Sequence, residues 1–239
     1  MTIQKLSIII PVFNEETTIY QVLQAVYAVK LINHINKEII VVNDCSTDQT
    51  EIIIRKFIAE FPHAPVQYIN HLFNKGKGAA IQTAIQKTNG DYLVIQDADL
   101  ELNPEDLNVL LKPVTEEHID VVYGSRFLNR LKDKRQTNRS YYANKFLTWF
   151  SNLCSGLSLT DMETCYKLMK TELVKKIVLK EMRFGFEPEI TAKLAKIKGV
   201  RFAEVPVTYE MRTKEEGKKI GWKDGVRAMA CIIRYNFSR

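Results

Sequence analysis

The 239-residue chain contains no apolar run near the roughly 18 to 20 residues that a membrane-spanning helix needs, so no part of it is assigned to a membrane span. The run at residues 6–13 is short and broken by Pro11. The opening, Met1-Thr2-Ile3-Gln4-Lys5, lacks the form of a signal peptide. Cysteine is sparse: four residues, Cys45, Cys154, Cys165 and Cys231, with no Cys-x-x-Cys pair. That spacing signals neither a zinc site nor a disulfide framework and suits reduced cytosolic thiols. Glycine is missing where phosphate-binding loops require it. A dinucleotide site would put Gly-x-Gly-x-x-Gly after the first strand, but that turn is Pro11-Val12-Phe13-Asn14-Glu15. Gly76-Lys77-Gly78 does not have Walker A spacing. A divalent metal is therefore the candidate for holding phosphate. No internal repeat or low-complexity segment is present.

The composition is otherwise that of a globular domain, 46% hydrophobic and 26% charged. It excludes a disordered chain, a collagen-like repeat and a small disulfide-stapled domain. The length fits one large α/β domain, alone or with a small appendage. With 34 Lys and Arg against 28 Asp and Glu, the formal charge is +6. A balance of that size points toward anionic partners without naming one.

Buried-strand patterns at residues 6–10, 38–42, 66–69, 91–96 and 120–123 alternate with helical patterns. Ile19, Val22, Leu23, Val26 and Val29 share one helical face. Ser46 is expected to N-cap a helix carrying Ile53, Phe57 and Ile58. Another helix covers 76–87, and Asn103-Pro104 opens one to about residue 111. This order predicts a doubly wound, mostly parallel sheet flanked by helices. Beyond Gly124 the pattern is less regular. A basic loop at 131–139 precedes an aromatic-rich helix at 140–153. A short strand at 164–169 and an amphipathic helix at 187–198 follow. Then come a strand at 200–209 interrupted at Pro206, a charged loop at 213–220 and a helix at 222–235. The expected division is a catalytic domain over 1–210, with halves at about 1–125 and 126–210, followed by a basic loop and C-terminal helix over 211–239.

Ligands of open parallel sheets bind outside the carboxyl ends of the strands. The polar residues there are Asn14, Glu15 and Glu16 after the first strand, and Asn43 and Asp44 after the second. Asp97, Asp99 and Glu101 follow the fourth, and Ser125 and Arg126 the fifth. Three acidic clusters on one rim of a basic protein need an explanation. Carboxylates spaced Asp-x-Asp suit Mg²⁺ or Mn²⁺, which bridges phosphate oxygens; equally, negative charge is favourable before a helix N-terminus. Asp44 either accepts the N–H donors of a nucleobase or is a turn residue. Glu187 and Glu189 either serve the site or cap the helix that follows.

The segments Ile8-Ile9-Ile10-Pro11-Val12-Phe13-Asn14-Glu15-Glu16 and Val42-Asn43-Asp44-Cys45-Ser46-Thr47-Asp48 resemble the opening motifs of the family-two glycosyltransferases. Asn74-Lys75-Gly76-Lys77-Gly78 and Asp97-Ala98-Asp99 follow in the family's order. Gly124-Ser125-Arg126-Phe127, the segment 160–167 (Thr-Asp-Met-Glu-Thr-Cys-Tyr-Lys) and residues 212–222 are similar to the polyprenyl-phosphate branch, the dolichyl-phosphate mannose and glucose synthases. The resemblance implies a nucleotide-diphospho-sugar transferase fold of GT-A type in one domain with a C-terminal helical appendage. It implies a nucleotide site drawn from Pro11, Val12, Asn14, Glu15, Asp44, Lys77, Asp97 and Ala98, and metal ligation by Asp97, Asp99 and Glu101. It implies catalytic parts for Asp99, Arg126, Asp161 and Arg212, and contact of the acceptor phosphate with Arg126, Arg139, Lys167, Lys218 and Lys219. Three positions depart from the family's habit: Cys45 stands where glycine is common, Glu101 where glutamine is, and Lys167 where arginine is, losing a bidentate fork. Many relatives carry transmembrane helices after the catalytic domain, and none is expected here.

The reaction expected is an inverting, metal-dependent displacement in which a polyprenyl phosphate oxygen attacks the anomeric carbon of a UDP- or GDP-linked hexose. That nucleophile is already an anion, so no strong base is needed. The partners expected are a nucleotide sugar, a lipid phosphate and the cytoplasmic face of a membrane, with room for a separate anchoring protein. The alternative is transfer to a carbohydrate hydroxyl in cell-surface polysaccharide synthesis, with Asp161 or Glu187 as base. Its processive form carries Gln-x-x-Arg-Trp, which is incomplete here because Ser140 follows Arg139. A basic module binding acidic lipid or nucleic acid, with no catalysis, would not need three acidic clusters on one rim. No nucleic-acid partner is expected. The aromatic helix at 140–153 either meets lipid or is buried on two sides.

Overall fold

The computed structural model describes residues 3–128, 139–210 and 222–238. Among these, seven strands form one sheet: β1 (Lys5–Val12), β2 (Asn36–Asn43), β3 (Val66–Asn70), β4 (Tyr92–Ile95), β5 (Val121–Ser125), β6 (Lys167–Lys170) and β7 (Phe202–Pro206). The strand order is β3-β2-β1-β4-β6-β5-β7. The helices are α1 (Ile19–Ala28), α2 (Thr50–Glu60), α3 (Lys77–Ile85), α4 (Leu107–Glu117), α5 (Arg139–Ser155), α6 (Thr171–Lys175), α7 (Phe186–Ala195) and α8 (Trp222–Phe237). β1 pairs in parallel with both β2 and β4, and β5 with β7. Chain order therefore reverses on either side of β1, which opens a crevice at the carboxyl ends of β1, β2 and β4.

Alternating side chains of the central strands feed two apolar layers. Ile8, Ile10 and Val41 pack in one layer with Ile54 and Phe57 of α2 and Leu110 of α4. Ile9, Ile40 and Val42 pack in the other with Ala80 and Ile81 of α3, Ile190 of α7 and Ile232 of α8. Each such side chain contributes about 1.5–3 kcal/mol by leaving water. α3 must approach its neighbours closely, hence its small residues. A Cβ on Gly78 would stand 2.3 Å from the Glu181 carbonyl oxygen, and Gly76 takes the left-handed φ of 99°. α8 lies against this body. Its Tyr235 hydroxyl donates to Glu181 Oε1 (2.9 Å), and Arg227 donates to Glu181 Oε2 (2.8 Å).

Several local expectations change. Ser46 is not the cap of α2, which begins at Thr50. Its hydroxyl instead accepts from Asn14 N (3.0 Å) and donates to Asn43 Oδ1 (2.6 Å), tying the loops after β1 and β2 together. Asn103 does accept from Glu105 N (3.1 Å), but the helix it opens continues through Pro113 to Glu117. The strand near 164–169 is β6, antiparallel to both β4 and β5. α6 was not expected. α5 is buried on one side only, through Leu147, Thr148 and Ser151. Its Tyr142, Phe146, Trp149 and Leu153 form a stripe with 64%, 50%, 59% and 68% of their surface exposed. The basic loop at 131–139, Arg139 apart, and the charged loop at 213–220 lie outside the described residues. Among the described residues, no helix is long and apolar enough to cross a membrane.

Candidate active site

The loops leaving β1, β2 and β4 meet at one edge. Asn14 stands in the left-handed region at φ 53°, its amide oxygen accepting from Thr47 N (2.8 Å). Glu15 N donates to Thr50 Oγ1 (2.9 Å), and Thr18 Oγ1 donates to the Ala98 carbonyl (2.8 Å). Val12 O accepts from Asp44 N (2.8 Å) where β1 and β2 end in register at Pro11↔Val42 and Val12↔Asn43. Of the expected nucleotide residues, Pro11 and Val12 end β1, Lys77 begins α3, and Asn14, Glu15, Asp44, Asp97 and Ala98 stand in the loops after β1, β2 and β4. Cys45 takes a φ of 61°, a conformation glycine adopts without strain.

Asp44 is buried and works as a clasp. Its carboxylate accepts from His71 Nδ1 (2.7 Å), Lys75 N (2.9 Å) and Gly76 N (2.6 Å), so it holds the turn that starts α3. A carboxylate has about four acceptor positions, and three are filled by this chain. The open acceptor pictured for a nucleobase is therefore mostly a structural group. His71 Nε2 lies 2.9 Å from Thr83 Oγ1, which joins the clasp to α3.

Asp97 Oδ1 is 2.7 Å from Lys77 Nζ, and that ammonium also donates to Cys165 Sγ (3.1 Å). Burial disfavours the charged form of Asp97, but Lys77, and Arg126 to a lesser degree, outweigh it and hold the carboxyl below its usual value. Lys77 in turn is held well above the usual amine value against its own burial, chiefly by Asp97. Asp99 Oδ1 accepts from Glu101 N (3.1 Å), whereas the Glu101 carboxylate accepts from the Tyr209 hydroxyl (2.9 Å). Among the described residues, no three His, Cys, Asp or Glu side chains converge as a cation cage. Of the expected triple Asp97, Asp99 and Glu101, the last has one carboxylate oxygen bonded to the Tyr209 hydroxyl. The half-buried carboxylates of Asp97 and Asp99 fit Mg²⁺ or Mn²⁺ in the manner usual for phosphate sites, where one or two carboxylates share the ion with substrate oxygens and water.

Arg126 follows β5 and is gripped by Asp161. Nε donates to Oδ2 (2.7 Å) and a terminal nitrogen to Oδ1 (2.8 Å), while Arg126 N also donates to Oδ2 (3.1 Å). The guanidinium lies 5.2 Å from the Tyr209 ring centre. Asp161 is wholly buried by this grip, so it is a positioning residue and not the catalytic group expected. Lys167 also departs from expectation. Its side chain is wholly buried, bonded to the Thr164 carbonyl and Glu187 Oε2 and set 4.9 Å from the Tyr123 ring centre, out of reach of an acceptor phosphate. Glu189 is spent on the amides of Lys180 (2.8 Å) and Glu181 (2.7 Å). Arg139 begins α5, and its side chain, with Arg212, Lys218 and Lys219, lies outside the described residues.

Sequence reasoning missed His71 and Tyr209. His71 immediately follows β3, so scanning the residues after every strand would have found it. Tyr209, three residues past β7, was inside the span assigned to a strand.

The fold and this rim define a nucleotide-sugar transferase architecture of GT-A type. A crystal structure of glucosyl-3-phosphoglycerate synthase from Mycobacterium tuberculosis, with Mn²⁺, UDP and phosphoglyceric acid, superposes with a TM-score of 0.71 over 98% of this chain and 79% of that one, at 19% identity. Residues 7–178 match the glycosyl transferase family 2. The chain belongs to that family and is a glycosyltransferase. It is 29% identical over 221 residues to a dolichyl-phosphate beta-glucosyltransferase of Trichomonas vaginalis, covering 85% of this chain and 65% of that protein. It is 25% identical over 212 residues to a dodecaprenyl-phosphate galacturonate synthase of Rhizobium johnstonii, covering 87% and 60%. The chain thus spans under two thirds of the length of these two relatives.

Proposed function

We propose that this chain transfers a hexose, with inversion, from a UDP- or GDP-linked donor to a polyprenyl phosphate, using Mg²⁺ or Mn²⁺. The observation that carries this reading is the preset cation Arg126, locked by Asp161 and close enough to Asp97 to help keep it charged. A fixed guanidinium beside the diphosphate rim suits an acceptor that is itself an anion. Of the carboxylates considered as bases for a neutral hydroxyl acceptor, Asp161 is held through both oxygens by Arg126 and Glu187 through one oxygen by Lys167. When bound, the metal supplies charge stabilisation for the leaving nucleoside diphosphate. Asp97 and Asp99 would hold it, Lys77 offsets the charge of Asp97, and Asp44 fixes the turn beneath the nucleotide.

The named activities of the two relatives support a lipid phosphate acceptor. The exposed stripe of Tyr142, Phe146, Trp149 and Leu153 supports peripheral contact with the cytoplasmic face of a membrane, alone or through an anchoring partner. The test supplies a panel of labelled UDP- and GDP-sugars with Mn²⁺ or Mg²⁺ and a polyprenyl phosphate, and follows label into organic solvent. Label that reaches only a carbohydrate acceptor, never the lipid, would sink this reading.

A further inference from the structure

The first residue of α3 is Lys77, the partner of Asp97 at the proposed diphosphate site. A helix start leaves backbone amides that need acceptors from outside the helix. Here the N-cap is Gly76, which has no side chain to supply one. The acceptor for Ala79 N is the Met182 carbonyl (3.0 Å), brought in by the distant loop between α6 and α7. In the same loop the Glu181 carbonyl accepts from Gln82 Nε2 (3.0 Å). The fit leaves no slack: a Cβ on Gly76 would stand 2.5 Å from the Met182 carbonyl oxygen. Asp44 therefore fixes the turn at Gly76 N, and the backbone of residues 181–182 fixes it one turn further on.

Glu181 joins that backbone to two more helices. Its amide donates to Glu189 Oε2 of α7 (2.7 Å). Its buried carboxylate accepts from the Tyr235 hydroxyl through one oxygen and from Arg227 through the other, both on α8. Gly185 makes room for it, since a Cβ there would stand 2.5 Å from Oε2. Elsewhere α8 is held by apolar contacts such as those of Ala228 and Ile232. A buried ion pair stabilises little beyond what apolar side chains of the same volume would. What a carboxylate with three directed donors adds at this place is orientation of the peptide that carries it.

We infer that Glu181 is a positioning residue for donor binding: α8, by gripping its carboxylate, sets the carbonyls that cap α3, and through that cap the place of Lys77 at the rim. The inference rests on the nucleotide-sugar reading above and adds the C-terminal helix to the support of the donor site. No member of the relay before Lys77 needs to touch substrate. Lys77 is the first residue of its helix, so a shift of the first turn carries it away from Asp97 and from the diphosphate. The coupling is reciprocal: a ligand that holds Lys77 in place also tightens the grip on α8.

The experiment is titration calorimetry of UDP and of GDP, each with Mn²⁺, on the full chain. It compares wild type, Glu181→Gln, Lys77→Met and the double variant. Glutamine keeps the shape of Glu181 and removes the charge that holds Arg227. Glu181→Gln should weaken the nucleoside diphosphate that binds by about fivefold, and Lys77→Met by at least as much. The double variant should bind no more weakly than Lys77→Met alone, because the effect of Glu181 passes through Lys77. Tyr235→Phe removes one donor to Glu181 and keeps the buried ring. It should weaken binding in the wild type and not in the Lys77→Met protein, and it decides the matter if Glu181→Gln folds poorly. Losses that simply add overturn the inference. So do variants that melt earlier yet keep full nucleotide affinity, since Glu181 then only fastens α8. In either case wild-type binding leaves the nucleotide-sugar reading standing. A wild type that binds neither nucleotide overturns that reading, and this inference with it.

Discussion

Arg126 and Asp161 form a two-point ion pair, 2.7 and 2.8 Å long, between the end of β5 and the loop before β6. Because Asp161 is fully buried and Arg126 nearly so, the pair sets the guanidinium in one orientation at the rim. Asp161→Asn should cut turnover about a hundredfold, because a misplaced cation costs orientation. It should also lower stability by about 3 kcal/mol, since half of a buried pair is removed. Activity at saturating donor and urea unfolding check the two effects. Normal turnover in a destabilised protein would make the pair purely structural.

Asp44→Ala removes the acceptor of three donors, two of them backbone amides of the turn into α3. The expected cost is about 2–3 kcal/mol of stability, together with weaker nucleotide binding. Melting and calorimetry with UDP and GDP measure both. Unchanged stability with lost affinity would restore Asp44 to a direct nucleobase contact.

Asp99→Asn keeps its shape and removes a negative charge from the proposed cation site. Transfer should fall by roughly a hundredfold or more, while unfolding shifts by no more than about 0.5 kcal/mol. Adding chelator to the wild type should give the same loss, reversed by Mn²⁺. A variant that still turns over with normal metal dependence moves the metal elsewhere.

Lys77→Met tests the pair with Asp97 through pH. The carboxyl of Asp97 is held below its unfolded value, so the pair's contribution is present above the unfolded Asp value of about 4 and is lost as pH falls through the lower folded value. The stability gap between wild type and variant should be wide at pH 7 and narrow toward pH 3. A gap of constant size would show that Lys77 contributes packing alone.

Charged substitutions at Phe146 and Trp149 fall on the exposed side of α5, so stability should change by no more than about 0.5 kcal/mol. Sedimentation with anionic liposomes should show weaker association. Association equal to that of the wild type would remove α5 from the membrane contact.

The strands of the first half were legible because each is a short β-branched run bounded by polar turns, as in residues 38–43. The rim residues were legible because a parallel sheet fixes which end of each strand carries chemistry. Asp161, Lys167 and Glu187 were found, and orienting a cation was among the parts weighed for Asp161, but the partners that hold the three were not legible. A carboxylate locked to a guanidinium and one free for substrate have the same sequence, and only burial separates them. Likewise Ser46 has the residue type of a cap, yet it stands four residues before α2 begins and its hydroxyl is spent on Asn14 and Asn43. His71 carried no periodicity, and its worth comes from Asp44, 27 residues away.

The antiparallel placement of β6 has a consequence for how this protein can change. A strand running against its neighbours enters the sheet at the edge where they leave it. The residues just ahead of β6 are therefore delivered to the rim in one continuous stretch, residues 161–167, carrying Asp161, Glu163, Cys165 and Lys167. That stretch touches Arg126 on one side and Lys77 and Glu187 on the other. The grip on Arg126 and the partners of Lys77 and Glu187 are then inherited together, as one short peptide. Exchanging those seven residues between relatives is a way to move the grip on Arg126 without rebuilding the sheet that presents it.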